Sequence, residues 1–189
     1  MTTEVRFHGR GGQGTVIASI LMAKAFFQAG YFVQSFPFFG VERRGAPLEA
    51  YLRFDHRKIL IRTNVYAPDH VIVLDRSLLS SIDVARGLKT GGVILINAPD
   101  LSGLKFSDFQ TGAVDATKIA LKHRLGTRTN PIVNTAMIGA FSKMLGIPPM
   151  DAVDQVIIEE VPSSPEENIN AARDAFDEVK TLGITNGFR

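Results

Sequence analysis

The sequence predicts an α/β fold: a single doubly wound, mostly parallel sheet with a helical C-terminal cover. Three observations predict it. A strand, a glycine turn, a helix and a second strand follow one another within the first 36 residues. Continuously apolar short runs such as residues 93–96 suit strands buried on both faces. From residue 131 onward, apolar residues recur at helical spacing. Strands early and helices late make one domain over residues 1–189, with its helical part at about 131–182.

Each element has a local reason. Val5 and Phe7 open the first strand, residues 9–14 turn, and Val16, Ile17, Ile20, Leu21, Lys24 and Phe27 trace a helix with an apolar face. Gly30 ends that helix, and residues 31–36 form the second strand of a parallel, right-handed βαβ unit. Residues 37–47, with two prolines and two glycines, form a structured loop. Residues 48–54 alternate as a strand, and residues 57–62 are its hairpin partner. Residues 70–74 are a short buried strand ending at Asp75, and 78–88 a helix. Residues 104–114 hold one or two short strands around Gly112, and 116–125 are helical. Ala136, Met137, Ala140, Phe141 and Met144 share one face of a helix over 132–145, which Gly146 closes. Pro148 and Pro149 start another, running to about Glu160. Ser164 as N-cap, Pro165 at the first helical position and Glu166 and Glu167 in the first turn start the last. Ile169, Ala172, Phe176 and Val179 form its apolar stripe.

Composition excludes several classes of function. The chain has no cysteine, so it holds no disulfide, no thiolate-ligated iron–sulfur cluster and no thiolate zinc site. His8, His56, His70 and His123 lack metal-ligand spacing. The pI is near 9.0, but the charges are interspersed, so nucleic acid is not implied. No apolar run approaches the roughly 18 residues of a membrane span, and no signal peptide is visible. The expected location is the cytoplasm.

Two motifs carry chemistry. Gly9, Arg10, Gly11, Gly12, Gln13 and Gly14 read GRGGQG, a G-x-G-x-x-G turn between a strand and a helix. Glycines let backbone N–H groups approach a ligand, and the helix N-terminus favours a phosphate or diphosphate. The sheet implied is Rossmann-like. A dinucleotide fold wants an acid about 20 residues on, at the end of the second strand. That strand ends Gln34, Ser35, Phe36, Pro37, so a nicotinamide or flavin nucleotide is disfavoured. The second motif is the loop PFFGVERRGAP, with Glu42, Arg43 and Arg44 between glycines and prolines. Guanidinium groups suit phosphate or carboxylate, and equally a contact with another chain. Asp75 and Asn97 end strands at the same sheet edge, where each either lines the crevice or caps a turn. Asn134 and Thr135 open a helix, His8 reads as a core or interface histidine, and Phe36, Phe38 and Phe39 as core or interface.

GRGGQG, PFFGVERRGAP, Asn97 and the segment NPIVNT (residues 130–135) together resemble the gamma subunit of the pyruvate and 2-oxoisovalerate:ferredoxin oxidoreductase family. The similarity covers nearly the whole chain. It implies a non-redox subunit, inert alone, of a thiamine-dependent enzyme that oxidatively decarboxylates a 2-oxoacid to an acyl-CoA. Thiamine diphosphate, magnesium and iron–sulfur clusters belong to the alpha, beta and delta partners. By resemblance, Arg10, Gly11, Gly12, Gln13 and Gly14 cradle the diphosphate of coenzyme A in the complex, with Glu42, Arg43 and Arg44 as adjacent contacts. No catalytic or metal-ligating residue is expected. The alternatives are a stand-alone Rossmann-type nucleotide-binding enzyme and a purely structural interaction subunit.

Overall fold

The computed structural model of the chain describes residues 1–38, 45–104, 106 and 108–183. The central sheet contains β1 (Thr3–Arg10), β2 (Phe32–Phe38), β3 (Pro47–Asp55), β4 (His70–Val73), β5 (Val93–Asn97), β6 (Gln110–Val114) and β9 (Lys180–Leu182). A separate two-residue ladder joins β7 (Gly126–Thr127) to β8 (Asn130–Pro131). The helices are α1 (Thr15–Gln28), α2 (Ala116–Lys122), α3 (Asn134–Leu145), α4 (Met150–Glu160) and α5 (Pro165–Glu178).

Sheet order is β2-β3-β1-β4-β5-β6-β9. β1, β4, β5 and β6 pair in parallel, and β3 pairs antiparallel with both β1 and β2, so β2 runs in the same direction as β1. β9 closes the far edge antiparallel to β6. The sheet is therefore mixed but mostly parallel, as expected for an α/β fold. One local expectation changes: β2 does not lie beside β1, because β3 is inserted between them.

That insertion also disposes of the expected hairpin partner at 57–62. Both edges of β3 are already paired, so no ladder is open to those residues. Residues 56–69 instead cross the sheet without strand structure, and the carbonyls of Ile59 and Thr63 accept from Gln34 Nε2 and Arg53 Nη2. The helix expected over 78–88 is only a 3₁₀ turn, Arg76–Ser80, capped by Asp75. Beyond it, the Asp83 carboxylate accepts from the Ala85 N–H in a turn that competes with helix.

α1 and α3 pack on one face of the sheet, over Val5, Phe7, Leu52, Ile72 and Leu95, and α2, α4 and α5 pack against them. The opposite face is covered by the 3₁₀ turn and coil, with Leu78, Val84, Leu88 and Leu104 on Val71, Val73, Ile94 and Ile96. The two helical stripes match expectation only in part: Leu21 and Ala172 are buried, and Val16, Ile169 and Val179 pack against the core. In α1 the buried side chains include Ala18, Leu21, Met22, Ala25 and Phe26. Ile17, Ile20 and Phe27 are exposed, at 52%, 40% and 66%. In α5 the buried set is Asn168, Ala171, Ala172 and Ala175, one step round from the larger residues. Alanine is needed there because α3 comes very close: a Cβ on Gly139 would stand 2.0 Å from the Ala172 carbonyl oxygen. Ser164 sits at the N-cap of α5 but left-handed (φ 53) and without a side-chain cap; its carbonyl accepts from Asn168 instead.

Candidate functional site

The glycine turn lies between β1 and α1, as the motif requires. Gly14 is left-handed (φ 78) at the N-cap of α1, a conformation that glycine adopts without strain. Gly9 serves close packing, since a Cβ there would stand 1.9 Å from Thr15 Oγ1. Three amides of this stretch are satisfied internally. Arg10 N–H donates to Gln13 Oε1 (2.8 Å), Gln13 N–H to the Arg10 carbonyl (3.1 Å) and Gly11 N–H to the Ala46 carbonyl (3.2 Å). Among the described residues, nothing accepts from the amides of Gly12, Gly14, Thr15, Val16 or Ile17. α1 therefore begins without a side-chain cap.

A second helix start lies against the same turn. A Cβ on Gly14 would stand 3.0 Å from Asn134 Nδ2, and Asn134 is the first residue of α3. α1 has no side-chain cap, whereas at the start of α3 the Asn134 side chain turns back on its own helix. The Asn134 carboxamide oxygen accepts from the Thr135 N–H (2.8 Å), and Thr135 Oγ1 donates to Asn168 Oδ1 (3.0 Å), tying α3 to α5.

Arg10 and Gln13 are held from below by Asp75, which ends the β4 segment. Arg10 Nε and Gln13 Nε2 both donate to Asp75 Oδ2, at 3.0 and 2.9 Å. Arg10 Nη2 donates to Ser77 Oγ (2.9 Å) and Nη1 to the Gly45 carbonyl (2.9 Å). Asp75 Oδ1 accepts from the Ser77 N–H at 2.9 Å. Burial of Asp75 pushes its carboxyl upward, but hydrogen bonds from Ser77 and Gln13 and the charge of Arg10 outweigh it. The pKa lies below the usual carboxylate value. Asp75 thus caps a turn and also fixes the glycine loop. Of the two roles the sequence left open for Asp75, the structure shows the turn cap, and its hold on the loop is a role that the sequence did not suggest.

Of the other sequence candidates, Asn97 is a brace. It donates to the Leu74 carbonyl and Thr117 Oγ1 and accepts from the Thr117 N–H. His8 is buried in the sheet, and Phe36 packs on Tyr51 and under the Arg53 guanidinium. Glu42, Arg43, Arg44 and Phe39 lie outside the described residues. Sequence reasoning missed Ser77 and the Gly45 carbonyl as anchors of Arg10. The only local signal was Asp75-x-Ser77 at a strand end. Among the described residues there is no group of three or more His, Asp or Glu able to hold a metal, and no helix long and apolar enough to cross a membrane.

Comparison with known proteins gives the family and the fold. The profile of the family described as pyruvate ferredoxin/flavodoxin oxidoreductase matches residues 4–178. Pyruvate synthase subunit PorC of Methanothermobacter thermautotrophicus is 46% identical over 187 residues, covering 96% of this chain and 98% of the relative. The pyruvate/ketoisovalerate oxidoreductases common subunit gamma of Thermococcus kodakarensis is 46% identical over 182 residues, 93% of this chain and 96% of the relative. The crystal structure of pyruvate oxidoreductase subunit PORC from Thermotoga maritima superposes with a TM-score of 0.81 at 34% identity, covering 96% and 99% of the two chains. The chain belongs to the pyruvate ferredoxin/flavodoxin oxidoreductase family, among its gamma subunits.

Proposed function

We propose that this chain is the non-redox gamma subunit of a 2-oxoacid:acceptor oxidoreductase and that its glycine loop meets the diphosphate of coenzyme A. The carrying observation is the uncapped N-terminus of α1 at Gly14, where the amides of Gly12, Gly14 and the first turn of α1 are used by no described residue. Such an arrangement favours a di-anion. When bound, coenzyme A supplies the thiol that takes the acyl group. The residues of this chain only bind and orient it: the amides of Gly12 and Gly14 and the first turn of α1 face the diphosphate. Arg10 and Gln13 hold the loop through Asp75 in place of direct phosphate contact. Glu42, Arg43 and Arg44 are proposed as neighbouring contacts. Absence of cysteine assigns iron–sulfur clusters to alpha, beta or delta companions, which also carry thiamine diphosphate and magnesium. The chain alone is inert and works in the cytoplasm.

Replacing Asp75 with alanine frees Arg10 and Gln13. In the assembled complex it is expected to raise the apparent KM for coenzyme A about tenfold, in line with the loss of charge-assisted hydrogen bonds, with the 2-oxoacid KM unchanged. An unaltered coenzyme A KM would sink the diphosphate assignment. Arg43→Ala with Arg44→Ala separates the roles of the second loop: raised KM with intact assembly marks ligand contact, and dissociation marks an interface.

A purely structural subunit is the second reading. It is favoured by Ile17, Ile20 and Phe27, which give α1 an exposed apolar stripe opposite its buried face.

A further inference from the structure

On the face of the sheet opposite the helices, β1 and β3 place charged and aromatic side chains in register. His8 pairs across from Glu49, Arg6 from Tyr51 and Glu4 from Arg53. The Glu4–Arg53 end is closed by an ion pair (2.7 Å) and the Thr63 carbonyl. The His8–Glu49 end is open, as a cleft of about 380 Å³.

Arg6 and His8 form its floor. Arg6 is 6% exposed, and its recorded acceptors are all neutral: His8 Nε2 (3.0 Å) and the carbonyls of Val84 (3.0 Å) and Arg86 (2.6 Å). Among the described residues nothing accepts from its Nη1, and no carboxylate is within ion-pair distance. Burial lowers the Arg6 pKa, and the charges of Glu49 and Asp83 across the cleft offset this only in part. His8 is 2% exposed, and burial followed by the charge of Arg6 brings its pKa down to about 3, so the ring is neutral. Its Nδ1 is buried and makes no hydrogen bond, with Glu49 Oε1 3.6 Å away.

The walls carry the opposite charge. Glu49 Oε2 accepts from the Tyr51 hydroxyl (2.6 Å), while Asp83 and the half-exposed Phe38 and Ile82 complete the lining, with Arg86 at the rim. A bare anion there would meet two carboxylates, and a bare cation two guanidinium groups. A molecule carrying both signs pairs with both.

We propose that this cleft binds a small zwitterion with an apolar side chain, an aliphatic α-amino acid. Its carboxylate meets Arg6, its ammonium meets Glu49 and Asp83, and its side chain lies on Phe38 and Ile82. Amino acids are the transamination counterparts of 2-oxoacids, so a site of this kind would report on the substrate pool of the family's reaction. The binding itself does not depend on the coenzyme A reading.

Calorimetric titration of the full chain with L-alanine, L-valine and L-leucine, their 2-oxoacids and their methyl esters tests the proposal. Only the amino acids are expected to bind, and Glu49→Gln is expected to weaken them at least about tenfold while coenzyme A binding to the assembled complex is unchanged. No binding by any amino acid overturns it. So does equal binding by the esters or the 2-oxoacids. Binding by the free chain that the assembled complex loses also overturns it, because the cleft would then seat a companion subunit.

Discussion

Leucine at Gly139 is expected to prevent the C-terminal helices from docking, and alanine to destabilise the chain by about 2 kcal/mol despite its better helix propensity. In an ordinary helix the glycine-to-alanine change gains roughly 1 kcal/mol. Here the new Cβ would stand 2.0 Å from the carbonyl oxygen of Ala172 and 2.8 Å from its Cα. These are backbone atoms, so no rotamer change relieves the clash, and α5 must move bodily away from α3. That would also pull Asn168 from Thr135, a hydrogen bond at the start of α3. Urea unfolding followed by far-ultraviolet circular dichroism measures the effect. A Gly139→Ala chain as stable as the parent would mean that the two helices are not in such close contact.

Acidification from pH 7 to 4.5 is expected to remove about 5 kcal/mol of stability, shared between His8 and His70. Both are buried, and burial first of all lowers their pKa values, to about 3 and about 4. The unfolded chain takes up a proton at each near pH 6.5, whereas the folded chain declines it. Between 6.5 and about 4 the unfolded state therefore binds more protons, and stability falls with pH. Depressed carboxyl groups such as Asp75 add to the loss only at lower pH. His8→Gln preserves an acceptor for Arg6 and is expected to remove about half of the dependence. Urea midpoints at half-unit pH intervals provide the check, and a flat profile between 6.5 and 4.5 would refute it.

The strands were readable because their signals are local. Residues 48–54 alternate, and 70–74 and 93–96 are unbroken apolar runs, which matches β3, β4 and β5. Helix positions were legible except at 78–88, which holds only a 3₁₀ turn, and helix faces were less so. α1 is apolar on nearly every side, so periodicity selects its bulkiest residues, Ile17, Ile20 and Phe27, while the core holds Ala18, Ala25 and Phe26. In α5 the sequence picks Ala172 but not its neighbours Ala171 and Ala175, and the close contact of Ala172 with Gly139 lies on another helix, which no local pattern can reveal. The glycine turn was visible as a motif. Its support was not, because Arg10 and Asp75 meet only when β1 and β4 pair.

The placement of β3 also explains why the glycine turn stands here without a nicotinamide grip. Neighbouring strands are separated by about 4.8 Å, so moving β2 one place outward carries its tip about that much farther from Arg10. The position beside Arg10 is filled by Pro47, the first residue of an antiparallel strand, whose side chain can offer nothing to a ribose hydroxyl. Even an aspartate installed at the tip of β2 would stand two ladders from the turn, and the sugar of a dinucleotide seated there would remain unheld.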